Sequence, residues 1–149
     1  GGAFTSNVLW QIEMGQVTAV RPDVIVLQIG TNNLGAGHSP AATAAGITKV
    51  VDELQKQLPN SRILLVGILP RGANANDPFR AKIAQVNRQI SALNDSDAVR
   101  FLNVGTRLLD EDDSLSPRVM PDFLHPSLLG YIEYLSAIVP TLGAMLDKQ

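Results

Sequence analysis

The sequence predicts an α/β domain built on a parallel sheet with helices on both faces. Three short aliphatic runs, at 23–29, 62–69 and 99–104, are rich in Val, Ile and Leu and lack clean alternation, as strands covered on both faces should be. Helical patterns lie between and around them, and that alternation of element types marks a parallel sheet with crossover helices.

A first helix is expected over 5–19, with Val8, Leu9, Ile12 and Val17 roughly on one face and Trp10 in the core. The strand at 23–29 leads into Gly30-Thr31-Asn32-Asn33, a composition that reads as a strand-exit turn. The next helix spans 40–58, where Ile47, Val50, Val51 and Leu54 share a face. Ser39 suits its cap and Pro40 its first turn. After the strand at 62–69, Asp77 and Pro78 open a helix over 78–93 with Phe79, Ile83, Val86 and Ile90 in register. The strand at 99–104 is followed by an acidic, proline-bearing stretch, 109–121, that reads as a surface loop. A last helix covers 127–146, with Pro140 placed to bend it. Right-handed crossovers set the C-terminal ends of all strands on one edge, where ligands bind in sheets of this kind.

The 149 residues are enough for one domain and too few for two. Hydrophobic residues make up 45%, near the globular average, which argues against disorder. The formal charge of −2, from 12 basic and 14 acidic residues, offers no footprint for nucleic acid. No uninterrupted apolar run approaches the ~18 residues of a bilayer span. Without cysteine there is no disulfide, thiolate metal site or cysteine nucleophile. The two histidines, His38 and His125, lie far apart, so no metal site is expected. The chain opens Gly1-Gly2-Ala3-Phe4, with neither an initiator methionine nor a signal-peptide pattern, and reads as the middle of a longer domain.

Two motifs carry chemistry. Asn32, just past a strand, would hold its side-chain amide at the ligand edge, where it can donate to a developing oxyanion. Asp122 stands three residues before His125. A turn there brings the carboxylate to the imidazole, fixing the tautomer and leaving Nε2 to act as a general base. Either motif alone also fits an ordinary turn or a helix cap. Of the remaining candidates, His38 reads as a loop histidine near the substrate entrance. Arg71 reads as a surface charge that could meet an anionic leaving group. Asp113-Ser114-Leu115 spells a nucleophile-like triplet, but no glycine precedes it and it follows an acidic loop instead of a strand.

Together the two motifs resemble the SGNH (GDSL-type) hydrolases. Gly30-Thr31-Asn32-Asn33 is similar to that family's third conserved block, and Asp122-x-x-His125 with Gly130-Tyr131 to its fifth. Within the family the chain looks like the catalytic subunits of brain-type platelet-activating-factor acetylhydrolases. Those share the Gly-Gly start, the Asn7 to Trp10 stretch, the Leu69 to Gly72 turn and the Asp-Phe-Leu-His run. The resemblance implies a flavodoxin-like three-layer α/β/α fold with a parallel sheet. It implies His125 as general base, Asp122 as its orienting partner and Asn32 as an oxyanion donor. Gly2, with Gly1 beside it, resembles the oxyanion glycine, and Thr31 and Leu124 would flank the acyl pocket. The substrate implied is a small ester with a short acyl group, and no cofactor is required. A homodimer is implied by analogy with the nearest relatives.

One departure from the family stands out. Its members carry a Gly-Asp-Ser block on the first strand, upstream of the glycine block, and nothing precedes Gly1 here. The expectation is therefore a chain that lacks the first strand or strands of the fold and the nucleophilic serine, supplied by an N-terminal fragment outside it. Such a chain would expose a strand edge. The rival expectation is a non-catalytic remnant that serves as a scaffold or small-molecule binding module.

Overall fold

The computed structural model describes residues 2–17, 19–95 and 97–147. Gly1, named beside the oxyanion glycine, and Thr18, in the helix expected over 5–19, lie outside them. Among the described residues five α-helices and three strands follow in order: α1 Thr5–Glu13, β1 Val24–Leu27, α2 Thr31–Gly35, α3 Pro40–Gln57, β2 Arg62–Val66, α4 Pro78–Ile90, β3 Val99–Leu102 and α5 Leu128–Leu146. The sheet runs in the order β1-β2-β3, all parallel, with Val24 opposite Arg62 and Ile63 opposite Val99.

Side chains alternate across the sheet as the pleat requires. Ile25, Leu27, Ile63 and Leu65 face one way, into a core with Ile12 of α1, Ile47, Val50, Val51 and Leu54 of α3, and Ile83, Val86 and Ile90 of α4. Val24, Leu64 and Val66 face the other way, against Ile138 and Met145 of α5. The three-layer α/β/α architecture is thus present, with one helix forming the second helical layer among the described residues. Ser39 caps α3 by accepting the Ala42 N–H, and Asp77 caps α4 by accepting the Phe79 N–H.

Several expectations are corrected. α1 stops at Glu13 instead of reaching 19, because Gly15, at φ 73°, ends it in the left-handed conformation a helix terminus favours. Trp10 is 56% exposed and is not core. The Gly-Thr-Asn-Asn segment is more than a turn: from Thr31 it winds into α2. α4 tightens into a 3-10 turn over Ser91–Leu93. The 109–121 stretch is not wholly a surface loop, since Leu115 and Met120 pack with Leu108 in a small core of their own. The last helix needs no correction: it runs Leu128–Leu146 behind its Ser127 cap, with Pro140 inside it. By length and composition alone α5 is apolar enough to cross a membrane, but Glu133 interrupts it, so it holds no unbroken apolar run of that length. One of its faces owes that character to packing on the sheet.

The other face does not. Leu128, Ile132, Leu135, Val139 and Leu146 form an exposed apolar stripe at helical spacing along α5. Beside it, β1 pairs only with β2 among the described residues, and Val26 at its middle is 45% exposed. A sheet with three strands and an open apolar edge matches the expectation that the family's first strands are absent from this chain.

Candidate active site

Four of the six expected site residues gather at the C-terminal edge of the sheet. A cleft of about 370 Å³ lies there, lined by the ends of β1 and β2, the start of α2 and the start of α5. Gly2, Thr31, Asn32 and Leu124 all line it. Asp122 and His125 do not, but the neighbours of His125 on both sides, Leu124 and Pro126, do. The sequence did not single out Ala3, Gln28, Ile68 or Tyr134, which also line it. Only contacts between distant elements bring them there, although Tyr131 and Tyr134 repeat at helical spacing directly after the histidine motif.

Gly30 makes the approach to α2 possible. Its φ is 118°, and a Cβ there would sit 2.8 Å from Ile68 Cδ1 and 3.0 Å from Ile47 Cδ1. The side chain of Asn32 is fixed by a bond from Nδ2 to the Ala3 carbonyl at 2.9 Å. An amide nitrogen carries two hydrogens, so the second remains to serve a ligand. Thr31 buries a hydroxyl that has no hydrogen-bond partner among the described residues. On the opposite wall, the Tyr134 hydroxyl donates to Gln28 Oε1 at 3.3 Å, and Gln28 Nε2 donates to the Gly67 carbonyl at 3.1 Å. Burial pushes the Tyr134 phenol above its ordinary value, with a smaller push from Tyr131.

The histidine motif is a tight turn. Asp122 Oδ1 accepts the N–H groups of Leu124 and His125, at 3.1 and 2.7 Å, while Oδ2 lies 2.7 Å from His125 Nδ1. Phe123, between them, is held at φ 56°, and its carbonyl accepts the Gly72 N–H. The hydrogen bond from the His125 ring, and next the one from its backbone, lower the Asp122 carboxyl to about 2. It is therefore an anion throughout the neutral range, with Nδ1–H as its donor and Nε2 left free. The imidazole is solvent-facing, with its side chain 78% exposed. Behind the turn, Ser127 caps α5 by accepting the Gly130 N–H and donates its own N–H to the Val119 carbonyl.

The other candidates fall elsewhere. Arg71 is half-buried and braced, its guanidinium 4.1 Å over the Phe79 ring and 3.4 Å from the Thr31 carbonyl. It is neither a free surface charge nor aimed into the cleft. Ser114 sits in the acidic stretch beside the Leu109–Leu115 bridge and does not line the cleft. His38 does not line it either. Its Nδ1 meets Asn33 Nδ2 at 3.2 Å. No serine stands among the described residues that form the cleft, and no group of three or more potential metal ligands occurs among the described residues.

A family profile described as the GDSL-like lipase/acylhydrolase family matches residues 1–131. The chain belongs to that family. Among its relatives, platelet-activating factor acetylhydrolase IB subunit alpha1 from Homo sapiens is 35% identical over 99% of this GDSL-type chain and 63% of its own length. The alpha2 subunit from Gallus gallus is 36% identical over 99% of the chain and 64% of its own length. The chain thus spans less than two thirds of these curated relatives. In fold it is similar to a putative acylhydrolase from Bacteroides fragilis, with a TM-score of 0.82 at 20% identity over 99% of this chain and 73% of that one. It is likewise similar to an acetylxylan esterase from Geobacillus stearothermophilus, with a TM-score of 0.79 at 20% identity over 96% of this chain and 69% of that one. The family is one of lipases and acylhydrolases, and the α/β sheet described above is its fold.

Proposed function

We propose that this chain is the base-and-oxyanion portion of a serine esterase that cleaves short acyl esters, acetyl esters among them, and that its nucleophilic serine lies outside these 149 residues. The observation that carries this reading is the Asp122–His125 hydrogen bond at 2.7 Å, with the neighbours of His125, Leu124 and Pro126, lining the same cleft as Asn32 and Gly2. The serine Oγ attacks the ester carbonyl carbon as His125 Nε2 takes its proton. Asn32 Nδ2–H and the Gly2 N–H stabilise the oxyanion, Asp122 stabilises the imidazolium, and Thr31 and Leu124 border the acyl group. The alcohol leaves with the proton from His125. Water, deprotonated by His125, then attacks the acyl-enzyme and releases the acid and the serine.

The relatives' extra length and the absence of serine from the cleft support a nucleophile supplied from elsewhere. The free edge of β1 and the outward stripe of α5 would be covered together by a strand and a helix. Assembly with further subunits belongs to the same reading, since the matched relatives are themselves named as subunits.

The test is fluorophosphonate labelling of the intact protein, with the adduct mapped by mass and p-nitrophenyl acetate hydrolysis followed in parallel. The expected result is one adduct, on a serine outside this chain, with labelling and hydrolysis both lost in His125→Ala. An adduct on Ser114 would reassign the nucleophile. No adduct on the folded protein would leave a binding module or scaffold.

A further inference from the structure

Asn33 stands beside Asn32 in α2 but turns inward, with 3% of its surface exposed. Its Oδ1 accepts the backbone N–H of Thr5 at 3.1 Å, and its Nδ2 meets Thr5 Oγ1 at 3.1 Å and His38 Nδ1 at 3.2 Å. A backbone N–H can only donate, so it fixes which way the amide points. Nδ2 then faces His38 Nδ1, which must be the unprotonated ring nitrogen. Thr5 is the first residue of α1, and its N–H is one of the donors a helix start leaves without an intrahelical partner. Gly46 of α3 holds Thr5 from the far side: a Cβ there would fall 2.6 Å from Thr5 Oγ1.

We propose that Asn33 is a positioning residue for the oxyanion site, acting through Thr5 on the Gly2–Ala3 segment. This rests on the reading that Asn32 and Gly2 bind the oxyanion. Ala3 lies two residues before Thr5, and its carbonyl orients the Asn32 amide at 2.9 Å. With Thr5 tied to the inward face of α2, the Ala3 carbonyl stays against the outward face. One hydrogen of Asn32 is then held back, and the other is aimed into the cleft that Gly2 also lines. Adjacent asparagines thus have different tasks: one faces the reaction and the other fixes the strand of chain that aims it.

The test compares Asn33→Ala, Asn33→Asp and Thr5→Pro in the intact protein. Aspartate can still accept the Thr5 N–H. Proline at the first helical position is compatible with α1 and with the extended Phe4 before it, but it deletes that N–H. For Asn33→Ala and Thr5→Pro, kcat on p-nitrophenyl acetate is expected to fall by about 10- to 100-fold with KM within about 3-fold, as small misplacements of catalytic groups do. Asn33→Asp is expected to restore most of the loss. The second readout needs no activity. The Asn32 side-chain amide hydrogen bonded to Ala3 should exchange slowly by NMR in the wild type and in Asn33→Asp, and quickly in the other two variants. If the wild type hydrolyses no ester, the proposed function falls while the amide exchange still decides the clamp. If Asn33→Ala does not fold, Thr5→Pro is read alone. A folded variant with unchanged Asn32 exchange and unchanged kcat overturns the proposal, even if its melting temperature drops.

Discussion

Two glycines of α5 should respond to alanine with opposite signs. Gly130 lies in the first turn, where a Cβ would stand 2.3 Å from the Val119 carbonyl oxygen. Carbon–oxygen contacts come no closer than about 3.3 Å even when C–H···O attraction favours them, so the carbonyl or the helix must move by about 1 Å. That carbonyl also accepts the Ser127 N–H at 2.8 Å. Overpacking of this kind costs about 1–3 kcal/mol, and loss of the hydrogen bond about 0.5–1.5 kcal/mol. Alanine's better helix propensity offsets up to about 1 kcal/mol of it. The net loss is about 0.5–4.5 kcal/mol, which for a chain of this size lowers Tm by roughly 1–18 °C. Gly143, further along the same helix, has nothing within 4 Å of its would-be Cβ, so Gly143→Ala should stabilise by about 0.5–1 kcal/mol. Calorimetry or circular-dichroism melts of the wild type and both variants make the measurement. A Gly130→Ala protein as stable as the wild type would refute the argument that α5 is seated against the Val119 carbonyl. The His125 turn, which ends two residues before the helix, would then not depend on that seat.

Further outcomes bear on the chemistry. Asn32→Ala removes a side-chain donor and should lower kcat by about 10²–10³-fold with little change in KM, measured by steady-state hydrolysis of p-nitrophenyl acetate. Asp122→Asn leaves His125 Nδ1 without its anionic acceptor, and kcat should fall by about 10²–10⁴-fold in the same assay. The Asp122 carboxyl is depressed from 3.8 to about 2 in the folded protein. Its stabilising contribution is therefore complete above the ordinary value and is lost as pH falls through about 2. Urea titrations should show the stability gap between wild type and Asp122→Asn narrowing from pH 4 to pH 2; a gap constant over that range would show that the pair does not couple to folding.

Much of the chain's local structure is legible in its sequence. Ser39-Pro40 and Asp77-Pro78 start helices because a short polar side chain satisfies an orphan N–H and proline lacks one to satisfy. Asp122 and His125 are close enough in sequence that a single turn joins them, so their pairing could be read from spacing. Trp10 could not be placed that way. An aromatic residue on an amphipathic helix looks like core, but whether that face is covered depends on what packs against α1, and here nothing described does so fully.

The sequence by itself determined the three strands, four of the five helices and the two motifs, because propensity, capping and periodicity act over a few residues. Only the tertiary structure decided that Asn32 takes its orientation from Ala3, that Asn33 turns away to hold Thr5, and that Arg71 lies on Phe79 instead of in the cleft. Those pairings join residues up to 29 positions apart along the chain. Which donor meets which acceptor at that distance is set by how helices pack on the sheet, and no local pattern records it.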